Sequence, residues 1–363
     1  MFKDKVKGCL YGGAAGDALG YAIEFMGEKS IFAEYGRDGI QSYDHVENGK
    51  ALISDDTQMT LFTAAGLLAW KAYGENSARD YVRQAYIDWL ITQMSDYECR
   101  DMIEDYERKI SWLSDVEELY SQRAPGNTCM SSLINLVKSQ KKIDDYIKDK
   151  RNDSKGCGGI MRTAPIALMF EDTEQADLEA AQMSAITHCN SLGYMPSAVM
   201  AHIINRLVFS QNGQSLKEIV LEAKNTVAEM FREDGNIKYL EDIIDRAVEL
   251  SENNGDDLEN IHKIGEGWVA EETLGIALYC CLKYEDDFSK ALIVSVNHRG
   301  DSDSTGAVTG NILGALTGFE KIGDKWKNRL ELTEVIDELS EDICSSFEKE
   351  DTVWYQKYYK MAK

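Results

Sequence analysis

Two short runs of oxygen-bearing side chains carry the first chemical signal in this chain. Ser54-Asp55-Asp56-Thr57 stands just before a helical run over 58–73, and Asp301-Ser302-Asp303-Ser304-Thr305 stands just before another over 305–318. Ser, Thr and Asp are favoured helix N-caps, and a helix N-terminus attracts negative charge. Capping accounts for one carboxylate per helix. It leaves a second Asp and two or three hydroxyls unexplained in each run. Adjacent carboxylates repel each other, and a cation relieves that repulsion. The donors are hard oxygens throughout, which suits Mg²⁺, Mn²⁺ or Ca²⁺ rather than zinc or copper.

Three local patterns compete with that reading. Asp301-x-Asp303-x-Thr305-Gly306 opens like an EF-hand loop, but Ile312 stands where the bidentate Glu belongs. Asp301-x-Asp303-x-Thr305 also has the form of the nucleophile motif of haloacid-dehalogenase-type phosphotransferases. That motif should end a parallel strand near the start of an α/β domain, whereas this one lies late in a helical chain. Gly265-x-Gly267-x-x-Ala270 mimics a dinucleotide fingerprint without a strand before it.

The elements that must hold these residues are helices. Apolar residues recur at helical spacing over 58–73, 78–93, 174–187, 194–210, 215–232, 237–250, 269–284, 286–296, 305–318 and 332–347. Only three prolines occur, so long helices go uninterrupted. The best strand candidate, 292–296, continues a helical pattern. The polar stretches 137–158 and 250–266 read as loops, and no linker or fixed-period repeat divides the chain. The expected architecture is all-α: a single compact multi-helix domain over 1–363. Two stripes, Gly8/Gly12/Gly16/Gly20 and Gly306/Gly310/Gly314/Gly318, repeat every fourth residue. Each glycine costs about 1 kcal/mol against Ala in a helix, so four in line imply close approach of another backbone. The two striped helices are expected to pack centrally, either on each other or each on some other element.

Composition bounds the partners. There are 39 Lys and Arg against 63 Asp and Glu, a net charge of −24. Such a chain is repelled by a nucleic-acid backbone and by an anionic membrane surface. Hydrophobic residues make up 44% of it, enough for a sizeable core. The eight cysteines contain no CxxC pair and give neither zinc-ligand spacing nor a disulfide framework. No signal-peptide core and no run of 18 apolar residues is present. The expectation is a soluble cytoplasmic protein, monomeric by default.

Several segments, taken in order, make the pattern specific: Gly12-Gly13-Ala14-Ala15-Gly16-Asp17-Ala18-Leu19-Gly20, Glu24-Phe25, Ser54-Asp55-Asp56-Thr57-Gln58-Met59, Pro125-Gly126-Asn127-Thr128, Gly156-Cys157-Gly158-Gly159-Ile160-Met161-Arg162, Thr187-His188 and Gly300-Asp301-Ser302-Asp303-Ser304-Thr305. From about Lys7 to Gly318 the chain resembles the ADP-ribosylglycohydrolase family, which includes dinitrogenase-reductase-activating glycohydrolases and ADP-ribosyl-acceptor hydrolases. The resemblance implies an all-α fold with a dinuclear Mg²⁺ site, where Mn²⁺ also serves, in a central cleft. Carried over, the metal ligands are Ser54, Asp55, Asp56, Asp301, Asp303 and Ser304. Ser54, Ser302 and Ser304 stand where Thr is common, and a Ser hydroxyl coordinates equally well. Glu24 falls where some members have a mobile Glu at the metal site.

The implied reaction is hydrolysis at the ribose anomeric carbon of ADP-ribosylated protein, through an oxocarbenium-like state that carboxylates stabilise. Asp55, Asp56, Asp303 and Glu24 are candidates for the base acting on water. A diphosphate ligand of a −24 protein needs backbone amides rather than a basic patch. Gly126, Asn127, Gly156, Cys157, Gly158 and Gly159 are the candidates. His188 is expected to touch the ligand, and Tyr21, Tyr194 and Trp268 are candidates for stacking on adenine. His298 and Arg299 either orient a carboxylate or face solvent. The Pro-Gly-Asn-Thr and Gly-Cys-Gly-Gly segments favour arginine as acceptor. The stretch from Thr187-His188 to Tyr194 instead resembles members acting on O-linked ADP-ribose, serine included. A non-catalytic ADP-ribose-binding relative is the remaining alternative.

Overall fold

Helices supply nearly all the regular structure of the computed structural model, which describes residues 1–74, 76–102, 109–210, 213–347 and 356–359. In chain order they are α1 (Phe2–Tyr21), α2 (Glu28–Tyr35), α3 (Asp55–Tyr73), α4 (Ala78–Met94), α5 (Asn127–Ser139), α6 (Ala164–Met169), α7 (Thr173–Ser184), α8 (Ser191–Phe209), α9 (Leu216–Met230), α10 (Ile237–Ser251), α11 (Asp257–Ile264), α12 (Ala270–Lys283), α13 (Phe288–Val296), α14 (Ser302–Thr317), α15 (Asp324–Lys327) and α16 (Thr333–Ser345). All ten segments read from periodicity are helices, within a few residues at each end. The loop expected over 250–266 contains α11. The one sheet among the described residues is a two-residue hairpin, Val46–Glu47 against Lys50–Ala51. Asn48 and Gly49 form its turn with φ of 50° and 82°, the geometry of a type I′ turn.

The frame is the pair α1–α14. These helices run antiparallel. A Cβ on Gly8, Gly12 or Gly16 would collide with the carbonyl oxygen of Gly314, Gly310 or Gly306, and one on Gly20 with that of Ser302. The glycine stripes therefore meet each other, one of the two arrangements that their spacing allows. No side chain separates the two backbones there. Both helices are buried along most of their length, inside one continuous hydrophobic cluster that reaches from Val6 to Tyr358.

This antiparallel contact sets the position of everything chemical. It lays the C-terminal end of α1 over the N-terminal end of α14. Asp17 and the segment after Tyr21 then face Asp301 and Asp303. The N-terminus of α3 arrives at the same point, so two helix starts and one helix end converge.

Candidate active site

Six carboxylates meet at this convergence: Asp17, Glu24, Asp55, Asp56, Asp301 and Asp303. None is more than 8% exposed. The two acidic runs read from sequence are in contact across 248 residues of chain, because the Ser304 hydroxyl donates to Asp56 Oδ2 at 2.8 Å. Ser54 caps α3, accepting from Asp56 N–H at 3.2 Å, and its hydroxyl also bonds Asp303. Asp301 caps α14. One carboxylate oxygen each from Glu24, Asp301 and Asp303 lies within 4.8 Å of the others.

The electrostatics of this cluster are unfavourable as they stand. Burial pushes every one of the six carboxyls above its ordinary range, and mutual repulsion adds to it for all but Asp301. Asp17 rises to about 7 and Glu24 to about 11. The N-termini of α3 and α14 offer only about 0.3–1 kcal/mol each of compensation. Among the described residues none of the six has a Lys or Arg within salt-bridge distance. Glu24 Oε2 is buried with no hydrogen-bond partner. An all-oxygen, anionic, under-neutralised donor set of this kind fits a hard divalent cation.

Asp17 is the principal residue that the sequence reading left without a role. It is fully buried in α1. Its carboxylate accepts from Ser54 N–H at 2.9 Å and Thr57 N–H at 3.0 Å, and also from the Thr57 hydroxyl. Asp17 thus ties the first turn of α3 to α1. Its one sequence signal was being the only acidic residue in an otherwise small and apolar stretch.

The glycine segments close around the cluster, with corrections to their expected use. The Gly126 N–H already donates to Asp55 Oδ2 at 3.3 Å, and the Cys157 N–H to Trp268 O at 3.3 Å. These two amides are engaged internally rather than offered to a phosphate. Asn127 begins α5 and is exposed beside Gly126. Gly158 and Gly159 are buried. A Cβ on Gly158 would come within 2.8 Å of His188 Cε1, and one on Gly159 within 2.9 Å of Gly193 O. Their smallness serves packing. Gly156 is half-buried and bridges to Val269, joining this segment to the loop before α12. The Cys157 thiol lies 2.7 Å from Asp301 Oδ2.

His188 is 2% exposed and held neutral, its pKa pushed down to about 3 by burial and by the Arg162 guanidinium. Arg162 Nη2 donates to Thr187 Oγ1 at 2.6 Å, which leaves the Thr187 proton for His188 Nδ1 at 2.8 Å. That bonding puts the imidazole proton on Nε2, the nitrogen facing Gly156 and Gly158. Tyr194 does not serve as a stacking platform. It is 2% exposed, with Phe231 against its ring at 5.8 Å and the Lys150 ammonium over it at 5.2 Å. Tyr21 stacks on His45. Trp268 is open, at 41% exposure, and stacks on Phe25. His298 neither faces solvent nor reaches a carboxylate: it is buried and bonds Thr305 Oγ1 and Arg299 O, while Arg299 pairs with Glu266 at 2.8 Å. Asp301 starts a helix rather than ending a strand, which removes the phosphotransferase reading. Gly265–Ala270 follows α11, which removes the dinucleotide one.

The chain belongs to the ADP-ribosylglycohydrolase family, whose pattern it matches over residues 1–352. It is 23% identical to mouse ADP-ribosylhydrolase ARH3, over 95% of this chain and 92% of that protein. It is 24% identical to the ADP-ribosylarginine hydrolase Tri1 of Serratia proteamaculans, over 96% and 81%. It is 23% identical to the ADP-ribosyl-[dinitrogen reductase] glycohydrolase of Rhodospirillum rubrum, over 91% of each. A solved chain described as an ADP-ribosylglycohydrolase-related protein complex shares the fold, with a TM-score of 0.64 and 20% identity over 94% of this chain and 97% of that one. No described helix is long and apolar enough to cross a membrane.

Proposed function

We propose that this protein is a divalent-cation-dependent hydrolase that removes mono-ADP-ribose from modified protein side chains, with arginine as the preferred acceptor. The observation that carries this reading is the meeting of six buried, under-neutralised carboxylates at the starts of α3 and α14. The similarity to Tri1, an ADP-ribosylarginine hydrolase, favours arginine. Ser54, Asp55, Asp56, Asp301, Asp303 and Ser304 would hold two cations, Mg²⁺ or Mn²⁺. Such ions, when bound, fix ribose hydroxyls and acidify a water.

The protein's own residues divide the remaining work. Asp55 is engaged by Gly126, Asp56 by Ser304, Asp301 by Cys157, and Asp303 by Ser304 N–H at 3.0 Å. Of the six carboxylates, only Glu24 has a buried oxygen without a hydrogen-bond partner, and it follows a helix end rather than starting one. With cations bound beside it to displace its own proton, it would be the carboxylate freest to accept one from water. Water oxygen bonds to the anomeric carbon while its proton passes to Glu24. The bond to the acceptor nitrogen breaks, its electron pair returning to that nitrogen, which then takes up the proton that Glu24 received from water. The neutral His188, with Nε2–H toward Gly156, donates to the ligand and repels no bound cation. Eight cysteines without a CxxC pair suit a reducing compartment such as the cytoplasm.

The test is release of ADP-ribose from arginine-modified and serine-modified peptides, with Mg²⁺ and with EDTA. Loss of release in EDTA and in Asp303→Ala is expected. Glu24→Gln should lower kcat while ADP-ribose still binds. Full release in EDTA would overturn the reading.

A further inference from the structure

A second acidic feature opens beside the start of α3, and none of its carboxylates belongs to the six of the cluster. It is a cleft of about 1050 Å³ between the hairpin tip at 47–50, the segments 96–98 and 112–123, and the start of α16. That volume reaches the top of the range for small-molecule pockets, about 300–1,000 Å³. Nine Asp and Glu line it, against Lys50 and Arg123. Three of the nine are paired: Asp115 with Arg100 and Lys109, Glu331 with Arg123, and Glu338 with Lys357. The other six, Glu47, Asp96, Glu98, Glu117, Glu118 and Glu334, are exposed. Among the described residues no Lys or Arg lies within salt-bridge distance of them.

One buried side chain in the wall of the cleft is unsatisfied. Arg123 is 9% exposed. Its Nη2 donates to Glu331 Oε2 at 3.3 Å, while its Nη1 is buried with no hydrogen-bond partner. A buried donor on a charged group is costly until an acceptor reaches it. The same residues tie the cleft to the cluster. Ile53 N–H donates to Glu331 Oε1 at 2.7 Å, and Asp55 N–H donates to Arg123 O at 2.9 Å. Leu52 lines the cleft, two residues before Ser54. Cys157, by contrast, touches Asp301 at the start of α14. The cleft therefore flanks the cluster on the α3 side, and the Gly156–Gly159 segment flanks it on the α14 side.

Charge and the Arg123 donor together select an occupant. Six unpaired carboxylates repel the diphosphate of ADP-ribose, a nucleic acid and a second copy of this −24 chain. They attract a cationic partner. A polyamine or a metal ion has no acceptor for Arg123 Nη1, whereas a peptide carries a carbonyl at every residue. We propose that this cleft receives a Lys- and Arg-bearing segment of the modified protein, next to the side chain whose ADP-ribose enters the cluster. The segment's cationic side chains meet the rim carboxylates, and one of its carbonyls accepts from Arg123. The assignment rests on the hydrolase reading above and adds to it the sequence around the modified residue.

The experiment compares Mg²⁺-loaded wild type with two triple variants. One is Glu98→Gln, Glu117→Gln and Glu118→Gln, on the rim. The other is Glu174→Gln, Asp242→Asn and Glu249→Gln, which removes the same charge from exposed positions outside the cleft. The probes are a fluorescent unmodified peptide rich in Lys and Arg, the same peptide with Gln in their place, and spermine as competitor. Anisotropy should show the basic peptide binding wild type and losing about 10-fold in affinity to the rim triple, as three exposed ion pairs allow. The outer triple should bind like wild type. Binding should vanish at about 1 M salt, where the Debye length is about 3 Å. KM for a Lys-flanked ADP-ribosyl-arginine peptide should rise with the rim triple by a similar factor, while the Kd for ADP-ribose should not rise. Equal losses in the two triples would show attraction to overall charge alone and would overturn the proposal. So would equal binding of the Gln peptide, displacement by spermine at the peptide's own concentration, or weaker ADP-ribose binding in the rim triple. If wild type releases ADP-ribose from no peptide, the hydrolase reading fails separately, and the anisotropy comparison still decides the cleft.

Discussion

Gly12→Ala tests whether the α1–α14 contact holds the fold and the site together. On an isolated helix the change should stabilise by about 1 kcal/mol. Here the new methyl would collide with Gly310 O, and it would sit 2.9 Å from Gly310 C and 3.2 Å from Gly314 Cα. All three are backbone atoms, so no rotamer change can make room and the helices must separate. Overpacking costs about 1–3 kcal/mol even where side chains can adjust, and a backbone clash falls at or above the upper end. The net expectation is a loss of about 2–3 kcal/mol. With an unfolding entropy of about 2.1 cal/mol/K per residue, a chain of 363 residues should lose about 3–4 °C in Tm. Gly235→Ala is the control, because nothing lies within 4 Å of its Cβ position. It should stay within about 0.5 kcal/mol of wild type. Gly12→Ala and Gly310→Ala push on the same contact, so their urea-unfolding losses should not add. Calorimetric Mg²⁺ binding should weaken in both, since separating the helices draws Glu24 from Asp301 and Asp303. A Gly12→Ala protein as stable as wild type would refute the argument.

Two further predictions concern the acidic cluster and its surroundings. In EDTA, burial holds the Asp17 and Glu331 carboxyls protonated up to about 7 in the folded state, against 3.8 and 4.5 ordinarily. The folded state then binds more protons than the unfolded one between about pH 4 and 7, so stability should fall as pH rises through that window. Excess Mg²⁺ should reverse the trend, because its ligands must lose protons to bind, and should add about 2.7 kcal/mol at a hundredfold excess over Kd. Urea midpoints at pH 5 and 7.5, with and without Mg²⁺, check both signs; a midpoint in EDTA that rises with pH sinks the account. Cys157→Ala removes the thiol beside Asp301, and loss of such a supporting contact should weaken Mg²⁺ binding by about 10-fold or more, with Cys157→Ser, which keeps a donor, much closer to wild type. Calorimetry on the two variants decides, and equal affinities would mean that the contact does not orient Asp301.

What the sequence made legible was whatever repeats along one helix. Apolar spacing marked the long helices because each buries one face. The four-residue glycine rhythm marked both partners of the α1–α14 contact, because each stripe needs the other. Short α2 and α11 bury few residues each, and their polar composition hid them. The hairpin had a signal in Asn48-Gly49, the residue pair that most favours a type I′ turn. The acidic runs were visible because two carboxylates at one helix start exceed what capping requires. Contacts that depend on tertiary approach carried no such mark. Nothing in the spacing of Cys157 and Asp301, or of Phe25 and Trp268, says that they meet. Tyr194 sits at helical spacing on α8, and an aromatic in that pattern is a core residue before it is a platform.

Asp17 shows how a buried acid can be costly alone and useful in company. Three groups at the start of α3 donate to it: Ser54 N–H, Thr57 N–H and the Thr57 hydroxyl. These bonds pull its pKa down, yet burial and the Asp303 charge outweigh them and leave it near 7. Without a cation, a charged Asp17 therefore opposes folding even while it caps α3. With cations opposite, the same charge is neutralised and only the tether remains. Asp17→Asn separates the two effects. An amide keeps one acceptor oxygen and loses the charge. In EDTA at pH 7.5 the variant should match or exceed wild type in stability, because lost repulsion offsets a lost hydrogen bond of about 1–3 kcal/mol. In saturating Mg²⁺ the order should invert, since wild type gains the full cation stabilisation and the variant binds the ion more weakly. Melting curves of both proteins under both conditions give the four values required. A variant less stable than wild type by the same amount with and without Mg²⁺ would mean that Asp17 is a structural cap alone, with no electrostatic link to the site.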